Sequence, residues 1–271
     1  MHLQTMKKIF LYLIAMVTLA LNSCEEVIDY ELDTAETKLV VEGLITDQPG
    51  PYNVRLSSTI GYLDQGLTPG INGALVIVSD NHGTADTLRQ ISDGLYQTTK
   101  LKGTPGYTYY FKAVVNGQEY TAQSYMPAVS PIDSITFEYQ TAMDEDDEGY
   151  HPFIHFQDPL GKGDNYRWNV YVNGVLVPDE LAVLNDDIYD GNYGHADMGF
   201  ALKQGDQIKV ELYAINKPAY KFWIALVNQQ NSSGGPFEST PANAPTNISN
   251  GAIGFFGASA VSVIEGTVPV E

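Results

Sequence analysis

The sequence predicts a mainly β protein made of two β-sandwich modules, with one α-helix in the C-terminal half. Three observations carry that prediction. Apolar residues recur at every second position over short runs, which is the period of a strand with one buried face. Turn clusters separate the runs, among them Asp47-Gln48-Pro49-Gly50-Pro51, Asn116-Gly117 and Asn173-Gly174, and short strands so punctuated argue for sandwiches. One stretch alone, Lys217 to Gln230, switches to helical spacing.

The first two dozen residues stand outside that pattern. Lys7 and Lys8 lead into an apolar run from Ile9 to Leu21, followed by Leu21-Asn22-Ser23-Cys24. A basic start, a short apolar core and a small residue before the cut describe a secretory signal peptide over residues 1–23. The run is shorter than the roughly 20 residues of a membrane-spanning helix. Leu-x-Ser-Cys resembles a bacterial lipobox, which implies a lipid on Cys24 and a mature chain beginning there. An ordinary signal peptide with a chance cysteine is the alternative. Cys24 is the only cysteine, so no disulfide forms and the fold must hold by burial, for which 44% hydrophobic content suffices.

Removing the signal peptide takes away Lys7 and Lys8 and no acid, so the formal charge of −19 becomes −21. A surface this acidic repels phosphate backbones, which argues against nucleic acid as a partner. It also repels anionic membranes, so the N-terminal lipid must do the anchoring, at about 0.8 kcal/mol per buried CH₂. Residues 24–37 form an acidic tether. Its Glu25 and Glu26 resemble the signal that sends Bacteroidetes lipoproteins to the cell surface. The expected address is therefore the outer membrane, lipid-anchored and surface-exposed.

The first module spans 38–126. Leu39, Val41 and Ile45 alternate with Val40, Glu42 and Thr46. Tyr52 to Ser57 gives a second strand, and Gly73 to Ser79 a third, which Asp80-Asn81-His82-Gly83 turns into Ala85 to Arg89. Gly94-Leu95-Tyr96 starts a short strand. Pro105-Gly106 precedes Tyr107 to Val115, where Tyr107, Tyr109, Phe111, Ala113 and Val115 share one face, and Asn116-Gly117 returns the chain through Gln118 to Ser124. The order of strand, Asp-x-x-Gly turn, Asp-Gly-x-Tyr and Pro-Gly-x-x-Tyr resembles carboxypeptidase-regulatory-like or transthyretin-like modules. Met126-Pro127 to Pro131 is a joint too short to flex, so the halves should touch.

The second module spans 127–271. Ile135, Phe137 and Tyr139 share one parity, an acidic loop runs from Asp144 to Glu148, and Ile154 and Phe156 mark a strand closed by Asp158-Pro159. The clearest strand follows, with Tyr166, Trp168, Val170 and Val172 inward and Arg167, Asn169 and Tyr171 outward; Asn173-Gly174 turns it back. This part resembles an immunoglobulin-like or fibronectin-III sandwich. Asp186 to Gly199 reads as irregular, and Ile208, Val210, Leu212 and Ala214 as another strand. In the helix 217–230, Tyr220, Trp223, Ile224 and Val227 form an apolar stripe suited to covering a sheet, with Asn216 as N-cap and Pro218 in the first turn. A long Pro/Asn-rich loop occupies 234–251, and Ile253 to Val263 reads as one closing strand.

Several segments together resemble the Bacteroidetes lipoproteins grouped as domain of unknown function 4249. They are Cys24-Glu-Glu-Val-Ile-Asp, Leu39-Val-Val-Glu-Gly-Leu-Ile-Thr-Asp-Gln-Pro-Gly-Pro-Tyr-Asn-Val-Arg-Leu, Met126-Pro, Tyr166-Arg-Trp-Asn-Val-Tyr-Val-Asn-Gly, Pro236-Phe and Asn243-x-Pro-Thr-Asn-Ile-Ser-Asn-Gly. The resemblance implies an outer-membrane lipoprotein that works beside a TonB-dependent receptor in nutrient capture, its ligand undetermined. The contact residues would then be Asp186, Asp187, Tyr189, Asp190 and Tyr193, with Pro236, Phe237, Asn243 and Asn247. The alternatives are a free-standing adhesin or glycan-binding module, which would need rows of surface aromatic residues, and a structural subunit of envelope assembly.

No motif of an enzyme stands out: Gly-x-Ser-x-Gly, His-Glu-x-x-His and a phosphate-binding Gly-Lys loop are all absent from the sequence. The expectation is a non-enzymatic protein with no cofactor and no metal. His151 and His155 share a strand face but lie about 13 Å apart, too far for one ion. His82 and His195 read as exposed turn residues beside Asp80 and Asp197. Asp144 to Glu148 lacks the alternation of a calcium loop. Asp33-Thr34-Ala35, Asp86-Thr87-Leu88 and Asp133-Ser134-Ile135 resemble the O-glycosylation triplet of exported Bacteroidetes proteins, with Thr34, Thr87 and Ser134 as acceptors.

Overall fold

A computed structural model describes residues 36–61, 64, 66–141, 148–177, 182–187, 190–230 and 243–270. Contacts divide the chain into two units, Met1–Glu36 and Thr37–Glu271, and every strand and helix named below belongs to the second. Cys24, Glu25, Glu26, Thr34, Tyr189, Pro236 and Phe237 lie outside the described residues. So do residues 144–147 of the acidic loop.

The fold is mainly β, with seventeen strands in four sheets and one helix among the described residues. Eight strands come from the first half: β1 (Leu39–Thr46), β2 (Asn53–Ser58), β3 (Leu75–Asp80), β4 (Ala85–Thr87), β5 (Arg89–Ser92), β6 (Leu95–Gln97), β7 (Thr108–Val115) and β8 (Gln118–Tyr125). The second half adds β9 (Ile132–Gln140), β10 (Gly149–Gln157), β11 (Asn165–Val172), β12 (Val175–Leu176), β13 (Ala182–Asn185), β14 (Tyr193–Asp197), β15 (Gln207–Ala214), helix α1 (Lys217–Gln230), β16 (Ile253–Ser259) and β17 (Val261–Thr267).

Two sheets, ordered β16-β1-β2-β6-β5 and β4-β3-β7-β8, enclose a first core. Val41, Ile45, Val54, Leu56, Val76, Val78, Tyr109, Phe111 and Ala113 fill it, those of β1 and β7 on the parity that the sequence alternation groups on one face. Each of the larger of these side chains contributes roughly 1.5–3 kcal/mol relative to exposure. The β7–β8 hairpin turns at Asn116-Gly117, both in the left-handed region at φ 51° and 83°, as a two-residue turn of this type requires.

Two further sheets, β14-β10-β9 and β12-β11-β15-β17 with β13 on β11, enclose a second core of Ile154, Phe156, Tyr166, Trp168, Val170, Ile208, Val210 and Leu212. Helix α1 lies on the outer side of β11 and β13. Asn216 caps it, its Oδ1 accepting from Ala219 N at 3.0 Å. Arg167 points outward from β11 as its parity dictates, yet it is buried. Its guanidinium lies between the rings of Tyr213 (4.9 Å) and Trp223 (4.2 Å), because the helix roofs that face.

Two expectations need correction. Asp186 to Gly199 is not irregular throughout, since Tyr193–Asp197 is a strand paired with β10. Its apolar content is too low for periodicity to reveal it. The closing segment is also two strands rather than one. β16 pairs in parallel with β1, from Val40↔Ile253 to Thr46↔Ser259, and so belongs to the first sheet. After Ala260 the chain changes sheets, and β17 pairs antiparallel with β15. Phe256 enters the first core, while Phe255 packs beneath α1 with Tyr213, Ile215 and Ala219. A strand buried on both faces shows no alternation, which is why the sequence conceals the switch.

The parallel β1–β16 contact is close. Gly254 sits at φ 90°, and a Cβ there would stand 2.1 Å from the Val41 carbonyl oxygen. Gly254→Ala should therefore cost at least about 3 kcal/mol, from left-handed strain together with a backbone clash. Urea unfolding of the mature chain measures this, and a loss under about 1 kcal/mol would mean that the pairing adjusts freely.

Candidate functional site

The Asp/Tyr-rich stretch singled out in the sequence lies at one end of the second sandwich. There the β10–β11 loop (158–164) meets the segment leading into β14. Asp158 N donates to Asn192 O at 3.1 Å, Asp186 N to Asp164 O at 3.1 Å, and Gln157 Nε2 to Gly191 O at 3.2 Å. The contact gathers Asp158, Asp186 and Asp190, whose carboxylate oxygens approach within 4.8 Å of one another. Asp158 and Asp186 are buried. Asp164 stands close enough that burial, and then repulsion from Asp158, Asp186 and Asp190, holds its carboxyl above the usual carboxylate value. Asp186 and Asp190 stand out in the sequence, whereas Asp158 reads there only as the end of a strand. Asp187 is exposed and accepts from Asn185 Nδ2 at 2.7 Å.

Hard oxygen donors of this kind are the ligands that Ca²⁺ takes. Several of the oxygens are already engaged. Tyr166 OH donates to Asp158 Oδ1 at 2.9 Å and Gly191 N to Asp158 Oδ2 at 3.1 Å. Gly163 N donates to Asp186 Oδ2 at 2.7 Å, and Gly161 N to Asp190 Oδ1 at 2.7 Å. Burial and the bond to Asp158 push the Tyr166 hydroxyl well above its ordinary value. The carboxylates thus tie two glycine-bearing loops together, and the second loop delivers Tyr193 to the start of β14.

On the outer face of the three-stranded sheet, β14 and β10 set four rings in a row. Tyr193 and His155 have centroids 6.3 Å apart, His155 and His195 6.0 Å, and His195 and Phe153 6.0 Å. His155 and His195 are direct cross-strand partners, so His195 is a strand residue and not the turn residue its neighbours suggest. His155 Nε2 is 2.8 Å from Thr136 Oγ1 on β9. Tyr193 is 57% exposed, which leaves the end of the row open to solvent. His151 shares the face, with Nδ1 3.9 Å from Asp197 Oδ1. Neither the row nor the His–His pairing is visible in the sequence, because the partners lie about forty residues apart and only the register joins them.

Residues 25–265 match the family described as domain of unknown function (DUF4249). The chain belongs to that family. No curated protein matches it.

In this DUF4249 member the motif from Asn243 to Gly251 works inside the fold. Asn247 Nδ2 donates to Phe256 O (2.8 Å) and Gln123 O (3.1 Å), and its Oδ1 accepts from Phe256 N at 3.0 Å. Ser249 N donates to Thr121 O at 2.9 Å, Thr121 N to Ser249 Oγ at 2.8 Å, and Asn250 Nδ2 to Glu119 O at 2.6 Å. The segment thereby satisfies the otherwise open edge of β8. Asn247, expected as a contact residue, spends its amide on backbone groups. Asn243 is exposed. Nearby, a cleft of about 310 Å³ opens between Lys217 and Lys221 of α1 and Pro245 and Thr246, floored by Phe255.

Of the glycosylation triplets, Thr87 is exposed on β4 and Ser134 half-buried on β9. Asp86, which precedes Thr87, has a structural task. It is buried and accepts from Thr99 N (2.7 Å), Thr99 Oγ1 (2.7 Å), Lys100 N (2.7 Å) and Leu101 N (2.9 Å). Burial alone would raise its pKa, but those bonds outweigh it and hold the carboxyl below its ordinary value. A depressed native pKa contributes stability that is present above the unfolded value and lost as pH falls through the native one. Asp86→Asn should therefore cost about 2 kcal/mol at neutral pH, and the difference from wild type should close below about pH 4. Urea midpoints across that range test it, and a difference that stays constant with pH would exclude the charge as its source.

Proposed function

We propose that this chain is a lipoprotein of the outer membrane, displayed on the cell surface, that serves without catalysis as an accessory binding partner of a TonB-dependent receptor in nutrient capture. One observation carries the reading. Leu21-Asn22-Ser23-Cys24 has the form of a lipobox, and the family match begins at residue 25, directly after the cysteine that would become the mature N-terminus. Glu25 and Glu26 follow at once, as the surface-export reading requires. The acidic loops and the ring row at the end of the second sandwich would supply the contact surface. The formal charge of −19 leaves the lipid as the means of attachment.

A second reading, a glycan-binding module, draws on the row Tyr193, His155, His195 and Phe153, since exposed rings stack on flat apolar faces of ligands. Three experiments test these readings. Radiolabelled palmitate should enter the wild-type chain and not Cys24→Ala, and label in both would refute the lipobox. A C-terminally tagged chain, pulled down from mildly solubilised outer membrane, should bring a barrel receptor in near-stoichiometric amount. Recovery of the tagged chain alone would overturn the receptor reading. Binding to a glycan array that Tyr193→Ala abolishes would then support the second.

A further inference from the structure

We infer that His155 and His195 form a two-imidazole site for a divalent transition-metal ion on the outer face of the β14-β10-β9 sheet. The inference rests on neither functional reading above. Register carries it first: the two residues are paired directly across antiparallel strands, where side chains on one face stand side by side. Ring geometry is within reach. A zinc–imidazole bond is about 2 Å and the ring centre lies about 1 Å behind the nitrogen, so two imidazoles on one tetrahedral ion hold their centres about 5 Å apart. The observed separation is 6.0 Å. Rotation about the side-chain bonds that closes this difference would let the in-plane lone pairs of the two rings meet at a shared point.

The surroundings fit a ligand role. A metal-bound histidine typically has its second nitrogen tied by a hydrogen bond, which fixes ring orientation and tautomer. Thr136 Oγ1 lies 2.8 Å from His155 Nε2, and the tautomer in which Nε2 donates that bond leaves Nδ1 with the lone pair. His195 is exposed and His155 half-buried, so an ion can enter and water can complete its shell. Imidazole donors select borderline metals such as Zn²⁺ and Cu²⁺ over Ca²⁺ or Mg²⁺, which distinguishes this site from the all-carboxylate cluster at the sheet's end. The protein's net charge of −19 raises the local concentration of cations around it.

The test uses the full mature chain, purified without a histidine tag. Calorimetry with Zn²⁺ should show one-to-one binding that His155→Ala and His195→Ala each abolish and that His82→Ala, in the other sandwich, leaves unchanged. Thr136→Val should weaken it by about tenfold with the melting curve unmoved, which a merely structural threonine would not do. The Cu²⁺-loaded chain should give an electron paramagnetic resonance spectrum with coupling to two imidazole nitrogens. Absence of binding, a spectrum of oxygen ligands only, or affinity retained in either histidine variant with its fold intact would overturn the assignment.

Discussion

The parallel pairing of the penultimate strand, β16, with the first, β1, is the constraint on which the rest depends. β16 lies on β1 over seven consecutive residues, with Phe256 in the first core. At Ala260 the chain then crosses into β17 of the second sandwich. One covalent segment thus supplies a strand to a sheet in each half. Small residues make the approach feasible: a Cβ on Gly43 would meet Phe256 at 3.0 Å, and one on Gly254 would meet the Val41 backbone. Contacts of such long sequence separation carry a large loop-closure cost, which their burial must outweigh.

Polar side chains hold this closure in place. Asp47 Oδ1 accepts from Val261 N at 2.9 Å, Gln48 Nε2 donates to Val261 O at 3.0 Å, and Ser124 Oγ accepts from Ala258 N at 3.0 Å. Asn216 caps α1 through Oδ1 while its Nδ2 donates to Ser124 Oγ at 2.8 Å and Tyr125 O at 2.9 Å. Buried backbone groups must find partners, and where sheets exchange strands no ladder supplies them. Asparagine, serine and aspartate do so instead. Several residues that look like ligand contacts or modification motifs in the sequence, Asn247 and Asp86 above all, are of this kind.

The second sandwich is differently dressed on its two outer faces. The face bearing β11 and β15 is covered by α1, with Arg167 between Tyr213 and Trp223, and Glu211 receiving Lys209 Nζ at 2.7 Å and Tyr213 OH at 2.7 Å. The face bearing β10 and β14 presents the ring row and the histidine pair, ending at the loops tied by Asp158, Asp186 and Asp190. The side-chain chemistry available to a ligand, imidazole, phenol and carboxylate, therefore gathers at one end and one face of that sandwich.

Local chemistry by itself determined the mainly β class, most strand positions, the hairpins at Asn116-Gly117 and Asn173-Gly174, and the helix from Lys217 to Gln230 with its Asn216 cap. Each depends on periodicity or on a turn residue read within a few positions. The proposed lipobox at Cys24 is likewise a matter of sequence alone, because an export signal is read as a linear string. Tertiary structure decided what required distant residues to meet: the strand switch at Ala260, the burial of Arg167 beneath a helix about fifty residues on, the joining of Asp158 to Asp186 and Asp190, and the register that puts His155 opposite His195. Strand pairing is fixed by long-range packing and not by the residues of either strand alone. A one-residue slip of β14 against β10 would turn His195 and Asp197 toward the core in place of Gly194 and Ala196.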